Sequence, residues 1–306
     1  MLPQSLVVQA VVSWAEVNVG IYDTSRTRVA PLFGRLQCFD PSGRLWLQAV
    51  LELAASRPGS RPDAGKAPLR LARWWPRQAR LPAPPSLLQW LLENVKEPEA
   101  VAEWGRKESR RRRRRVVDHD ATTVEQAVDR LNTGPTNARA WYVLEGPSQP
   151  SVYLETDEVV VVIDGKRAEL TPDASTDWMP VRHQLLRHLD SAWDTRRERR
   201  LYGVLMVEAD REISRSEPPA AWREGLERSL SEEALGQSLP HRAPEERASI
   251  GAALLGVTSW QAVCDELQVP RQVLIPEVLD PPAEPRARRR SSASIERPLI
   301  EPAEPA

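Results

Sequence analysis

VVVVIDGK, residues 159–166, decides how the rest of the chain is read. Five apolar residues in unbroken succession fit a strand buried on both faces, as in the middle of a sheet covered by helices. Asp164, Gly165 and Lys166 follow at its end. On an extended chain residues two apart project to one side, so the Asp164 carboxylate and the Lys166 ammonium meet at one strand end. The Asp-Gly pair also fits a two-residue hairpin turn with Gly165 at positive φ, although residues 167–177 do not alternate like a partner strand.

Reading outward, residues 123–131 have amphipathic helical spacing, and AWYVL (140–144) and residues 152–155 read as strands before the 159–163 run. A helix over 180–193 and a buried strand, LYGVLMV (201–207), follow, so the order is α-β-β-β-α-β. In the second helix Val181, Leu185, Leu189, Ala192 and Trp193 form the expected buried stripe. Gln184, His188 and Ser191 share one flank of it, and Arg182, Arg187 and Asp194 fall toward solvent. His188 reads as boundary packing, since one histidine without a ligand partner is weak evidence for chemistry. Glu125 reads equally as a capping-box residue on Thr122 or as a site acid.

This order and these residues resemble the PD-(D/E)XK nuclease superfamily, with its RecB-like branch closest. That pattern has an acidic helix residue, a Pro-Asp on the second strand, Asp/Glu-x-Lys on the third, and a following helix bearing glutamine. Glu125, Asp164, Lys166 and Gln184 match. The resemblance implies a restriction-endonuclease-like α/β core in which two carboxylates hold Mg²⁺ or Mn²⁺ while the lysine orients the attacking water for phosphodiester hydrolysis. The motif's Pro-Asp is replaced by Pro150-Ser151, and serine is a poor bridging ligand. Glu155 lies on the Ser151 face when counted by twos and is the better substitute, ahead of Asp157. The expected site is therefore Glu125, Glu155, Asp164, Lys166 and Gln184, with Glu155 and Asp164 on the metal. Without a substitute for the missing aspartate, the fold remains and the chemistry is lost.

Around this core the expected organisation is an N-terminal α+β region (1–97), an Arg-rich linker (98–118), the PD-(D/E)XK-like domain with a helical extension (119–270) and a disordered Pro/Arg-rich tail (271–306). In the first region, LQCF and RLWLQAVLELA flank Asp40-Pro41-Ser42-Gly43 as two strands about a turn, the second run continuing toward helix. Residues 56–85 read as loop with Trp74 and Trp75 pinned on something apolar, and SLLQWLLENV (86–95) as helix. Six consecutive arginines, 110–115, read as a mobile linker or solvated helix face that could also contact phosphates. Residues 222–267 read as helices punctuated by proline, with Trp260 and Leu267 in the core.

The chain has 42 Lys and Arg against 43 Asp and Glu, so no global field draws it to nucleic acid or membrane, and any basic surface is local. Cys38 and Cys264 show no metal-ligand spacing and suit a reducing, cytoplasmic setting. No apolar run approaches a membrane span, and the first 17 residues lack a basic leader segment and a cleavage site. Arginine's dominance over lysine fits a GC-rich bacterial genome. Walker, Gly-x-Gly-x-x-Gly, His-Glu-x-x-His and Gly-x-Ser-x-Gly motifs are absent, which removes the usual support for nucleotide hydrolysis, dinucleotide, zincin and α/β-hydrolase chemistry. Two functional expectations remain: a metal-dependent nuclease, DNA favoured, or a catalytically silent nucleic-acid-binding or scaffold protein of the same fold.

Overall fold

The structure, a computed structural model, describes residues 24–56, 59–94, 107–133, 145–167, 182–210 and 216–274. After a π-helical turn, Ser25–Val29, come α1 (Ala30–Phe39), α2 (Leu47–Ala54) and β1 (Leu71–Trp74). Three helices follow, α3 (Pro85–Asn94), α4 (Lys107–Val117) and α5 (Ala121–Thr133). Then come β2 (Val152–Glu155), β3 (Val159–Gly165), α6 (Gln184–Thr195) and β4 (Arg200–Val207). The last part holds α7 (Ala220–Ser229), α8 (Glu232–Ser238), α9 (Pro244–Ala253), β5 (Leu254–Ser259) and α10 (Trp260–Glu266).

The five strands form one mixed sheet in the order β1-β2-β3-β4-β5. β1, β2 and β3 are joined antiparallel, while β3, β4 and β5 run parallel. Helices cover both faces, and the pleat of β3 explains why its whole run is apolar. Val159, Val161 and Ile163 pack on the face of α1, α2 and α10, whereas Val160 and Val162 pack on the face of α6, α7 and α9. Every residue of β3 is buried.

Gly165 is not a hairpin turn. It continues β3, pairs with Met206 of β4, and is not among the glycines at positive φ. Its missing side chain serves packing, because a Cβ there would stand 2.8 Å from the Trp260 ring. Gly256 in β5 does need its freedom: its φ is +145°, and a Cβ would stand 2.4 Å from the Ala54 carbonyl oxygen. The β4–β5 register shifts beside it, at Gly203/Val204. This short, glycine-interrupted strand lies between the two helices expected over 244–254 and 259–267 and was not expected, since six residues carry too little periodicity to mark a strand.

The N-terminal strands are corrected to helices. Val29, Leu32, Phe33 and Leu36 recur at three- and four-residue spacing and are all buried, so LQCF ends α1 rather than forming a strand. The expected turn between the two runs is present, with Asp40 Oδ1 accepting from Ser42 N at 2.9 Å and Oδ2 from Leu45 N at 2.8 Å. LARW (71–74), expected as loop, is the edge strand, with Trp74 packed 6.1 Å from the Phe33 ring. The region placed before residue 97 therefore supplies a strand to the sheet of the region after 119.

The arginine run lies on a helix, the solvated-helix-face alternative of its reading. Val116 and Val117 anchor α4 against Leu87, Leu91 and Leu92 of α3 and Ala127 of α5, in an apolar cluster separate from the two that cover the sheet. Arg111, Arg114 and Arg115 are exposed on α4. Leu274 is still packed on the core, so the described chain extends past the expected tail boundary. The expected strand at 140–144, residues 1–23 and the tail beyond 274 lie outside the described residues. Among the described residues no helix is long and apolar enough to cross a membrane.

Candidate functional site

Asp164 follows Val160 and Val162 on the α6 face of β3 and is 2% exposed. Parallel pairing with β4 fixes the strand end, and the Lys166 amide donates to the Met206 carbonyl at 2.8 Å. Trp260 Nε1 donates to the Lys166 carbonyl at 3.0 Å, clasping the same backbone from the other face. Lys166 Nζ then stands 3.5 Å from Asp164 Oδ2, as the two-residue spacing requires, and donates to Gln184 Oε1 at 2.6 Å. Three of the residues singled out in the sequence, Asp164, Lys166 and Gln184, are thus brought together.

The helix supplies more than Gln184. His188, one turn on, is buried with Nε2 4.0 Å from Asp164 Oδ1, too far for a hydrogen bond, and its Nδ1 bonds the Ser148 hydroxyl. Ser148 is fully buried and bridges Leu81 in both directions, its amide donating at 2.7 Å and its carbonyl accepting at 2.9 Å. His183 caps α6, its Nδ1 accepting from the Leu185 amide at 3.2 Å, and that cap sets the helix start at Gln184, four residues after Pro180. Burial, helped by the Arg187 and Lys166 charges, pushes His188 down to about 3. Burial and Lys166 push His183 down to about 4. Both imidazoles are therefore neutral near pH 7. The tautomer with Nε2–H toward Asp164 lets His188 Nδ1 accept from Ser148.

Neither substitute for the missing aspartate reaches this cluster. Ser151 precedes Val152, which pairs with Ile163, and its hydroxyl accepts from the Gly165 amide at 3.0 Å. A second carboxylate would have to stand at this place. Glu155 pairs with Val160, four residues back along β3 from Asp164, or roughly 13 Å at ~3.3 Å per residue. Its carboxylate is ion-paired with Arg199 and accepts from the Tyr153 hydroxyl at 3.3 Å. Counting by twos gave the correct face and the wrong end of the strand. Asp157 lies beyond Glu155 and pairs with Arg70 on the surface.

Glu125 is also outside the cluster. It is exposed on α5, which packs against α3 and α4, and the helix is capped by Asp120, whose Oδ1 accepts from Thr123 N at 2.8 Å, rather than by Thr122. The donor set at Asp164 does not fit Mg²⁺ or Mn²⁺: one carboxylate, a serine hydroxyl and a lysine ammonium cannot supply the paired carboxylates such ions require. Among the described residues no group of three His, Cys, Asp or Glu side chains could hold a metal ion.

A second polar cluster lies against the same helix. Arg182, expected toward solvent, is fully buried, with Nε 3.0 Å from Glu145 Oε2 and Nη2 2.7 Å from Asp190 Oδ2. Its Nη1 donates to the Ser238 carbonyl at 2.7 Å, tying α6 to α8. Asp190 also receives Arg242 Nε at 2.8 Å and faces His241 Nε2 at 3.1 Å. Burial alone would raise the Asp190 carboxyl, but the His241 hydrogen bond and the Arg182 and Arg242 charges hold it far below the usual range. Helical-wheel reading missed Arg182 because it precedes the His183 cap, where helical angles do not apply.

No family model matches the chain, and neither a curated protein nor a solved structure does. Fold and site geometry alone carry the functional reading.

Proposed function

We propose that this chain is a restriction-endonuclease-like domain that keeps the Asp164-x-Lys166 pair and has lost the metal site, and that it binds nucleic acid without cutting it. The observation that carries the reading is Ser151: its hydroxyl, not a carboxylate, occupies the place beside Asp164, hydrogen-bonded to Gly165 N at 3.0 Å. The described order α5, β2, β3, α6, β4 corresponds to the expected α-β-β-β-α-β order apart from its first strand, residues 140–144, which lies outside the described residues, and the Lys166 to Gln184 bond of 2.6 Å links β3 to the following helix.

The nucleic-acid half of the reading is supported by Arg111, Arg114 and Arg115, exposed on a helix in a chain that is otherwise near charge balance. Arginines on a rigid helix pair with phosphate oxygens and release counterions. DNA is the favoured ligand, in a cytoplasmic setting that suits the two free cysteines.

The test is anisotropy on labelled 20-mers of single- and double-stranded DNA and RNA from 50 to 200 mM salt. Gel analysis of the same samples with Mg²⁺ or Mn²⁺ completes it. The reading expects intact oligonucleotides, salt-sensitive binding, and a log–log salt slope reduced by about 3 when Arg111, Arg114 and Arg115 become glutamine. Cleavage abolished by Asp164→Asn would restore the nuclease reading and sink this one.

A further inference from the structure

At the far end of the sheet from Asp164, where β1, the β2–β3 turn and the end of α6 converge, lies an open groove of about 1320 Å³. Drug-sized ligands occupy roughly 300–1000 Å³, so this groove suits a segment of polymer. Six arginines and four carboxylates line it. Three of the carboxylates are already taken: Asp157 by Arg70, Glu155 by Arg199, and Glu158 by Arg200. Arg73, Arg80 and Arg197 are exposed and have no acidic partner among the described residues.

Arg197 carries a second indication. It follows the α6 C-cap with φ +58°, a position where glycine costs least. Arg197 there presents a guanidinium at the groove's rim from a left-handed backbone conformation that is strained for a non-glycine residue.

We propose that this groove docks an acidic, extended peptide segment of a partner protein, held by Arg73, Arg80 and Arg197. A peptide is favoured over a nucleic-acid strand on two grounds. The groove interleaves carboxylates with its arginines, which suits spaced side-chain charges and repels a continuous phosphate chain. Its one aromatic residue, Tyr153, is buried and offers no face for stacking bases. The site is separate from α4 and from Asp164, so it stands whether or not the chain binds nucleic acid.

The experiment is anisotropy of rhodamine-labelled (Glu-Ala)4 on the full chain at low salt, with (Gln-Ala)4 as the neutral control and an unlabelled single-stranded 12-mer DNA as competitor. The expected result is binding of the acidic peptide only, weakened at least about tenfold in the Arg73→Gln, Arg80→Gln, Arg197→Gly triple variant and tightened two- to threefold by Glu198→Gln. Arg197→Gly alone should weaken binding while leaving the melting temperature equal or higher, which separates docking from a structural role. No binding of the acidic peptide, an unchanged triple variant, or tighter DNA binding through the same three arginines would overturn the proposal.

Discussion

α6 stands between two polar clusters that differ in how closely their charges meet. On one side Glu145, Arg182, Asp190, His241 and Arg242 form a buried network in which Arg182 meets two carboxylates at 3.0 and 2.7 Å. On the other, Asp164 has Lys166 at 3.5 Å and His188 at 4.0 Å, distances at which attraction persists without a direct hydrogen bond. A buried network of several close ion pairs fixes one arrangement. The looser cluster sets one carboxylate, Asp164, beside Lys166 and His188 with no second carboxylate at Ser151. The first cluster therefore positions the helix against its neighbours.

The largest break in this comparison is Arg182→Met. It leaves Glu145 and Asp190 buried without their shared cation and should cost about 3–5 kcal/mol in urea unfolding. Next comes pH. His183 and His188 have folded values of about 4 and about 3, below the ordinary 6.5, so the unfolded chain takes up protons first as pH falls. Their stabilisation is fully present above pH 6.5 and is lost below it, at up to about 1.4 kcal/mol per pH unit for each histidine. His188→Gln should flatten that slope by one proton in unfolding curves taken between pH 6.5 and 4. The smallest effect belongs to Lys166→Met, about 1–2 kcal/mol. The lysine side chain is 16% exposed, so water can replace its head beside Asp164. If Lys166→Met proved as costly as Arg182→Met, the two clusters would be alike and the distinction would fail.

Part of this was legible in the sequence for plain reasons. The unbroken valines of β3 announced a strand covered on both faces, and the spacing of Asp164 and Lys166 placed two charges on one side. Gln184 and the buried Leu185, Leu189 and Ala192 follow from helical periodicity. Ser148 and His188 did not, because their contact spans 40 residues of chain and depends on the Leu81 bridge. Arg182 was hidden by its place before the helix cap. Glu155 shows the limit of parity arguments: alternation assigns a face, but only register assigns a position along it. β1 and β5 were lost to brevity, one among prolines and arginines, the other broken by Gly256.

The proposed loss of the metal site turns on Ser151, which stands where a second carboxylate would be needed. Titration calorimetry with Mn²⁺ on the wild-type chain, on Asp164→Asn, on Ser151→Asp and on the Ser151→Asp, Asp164→Asn double variant tests it directly. The account predicts no specific Mn²⁺ binding by the wild type, one ion per chain for Ser151→Asp, and loss of that ion when Asp164→Asn is added. Binding of one Mn²⁺ by the wild type that disappears with Asp164→Asn alone would contradict it.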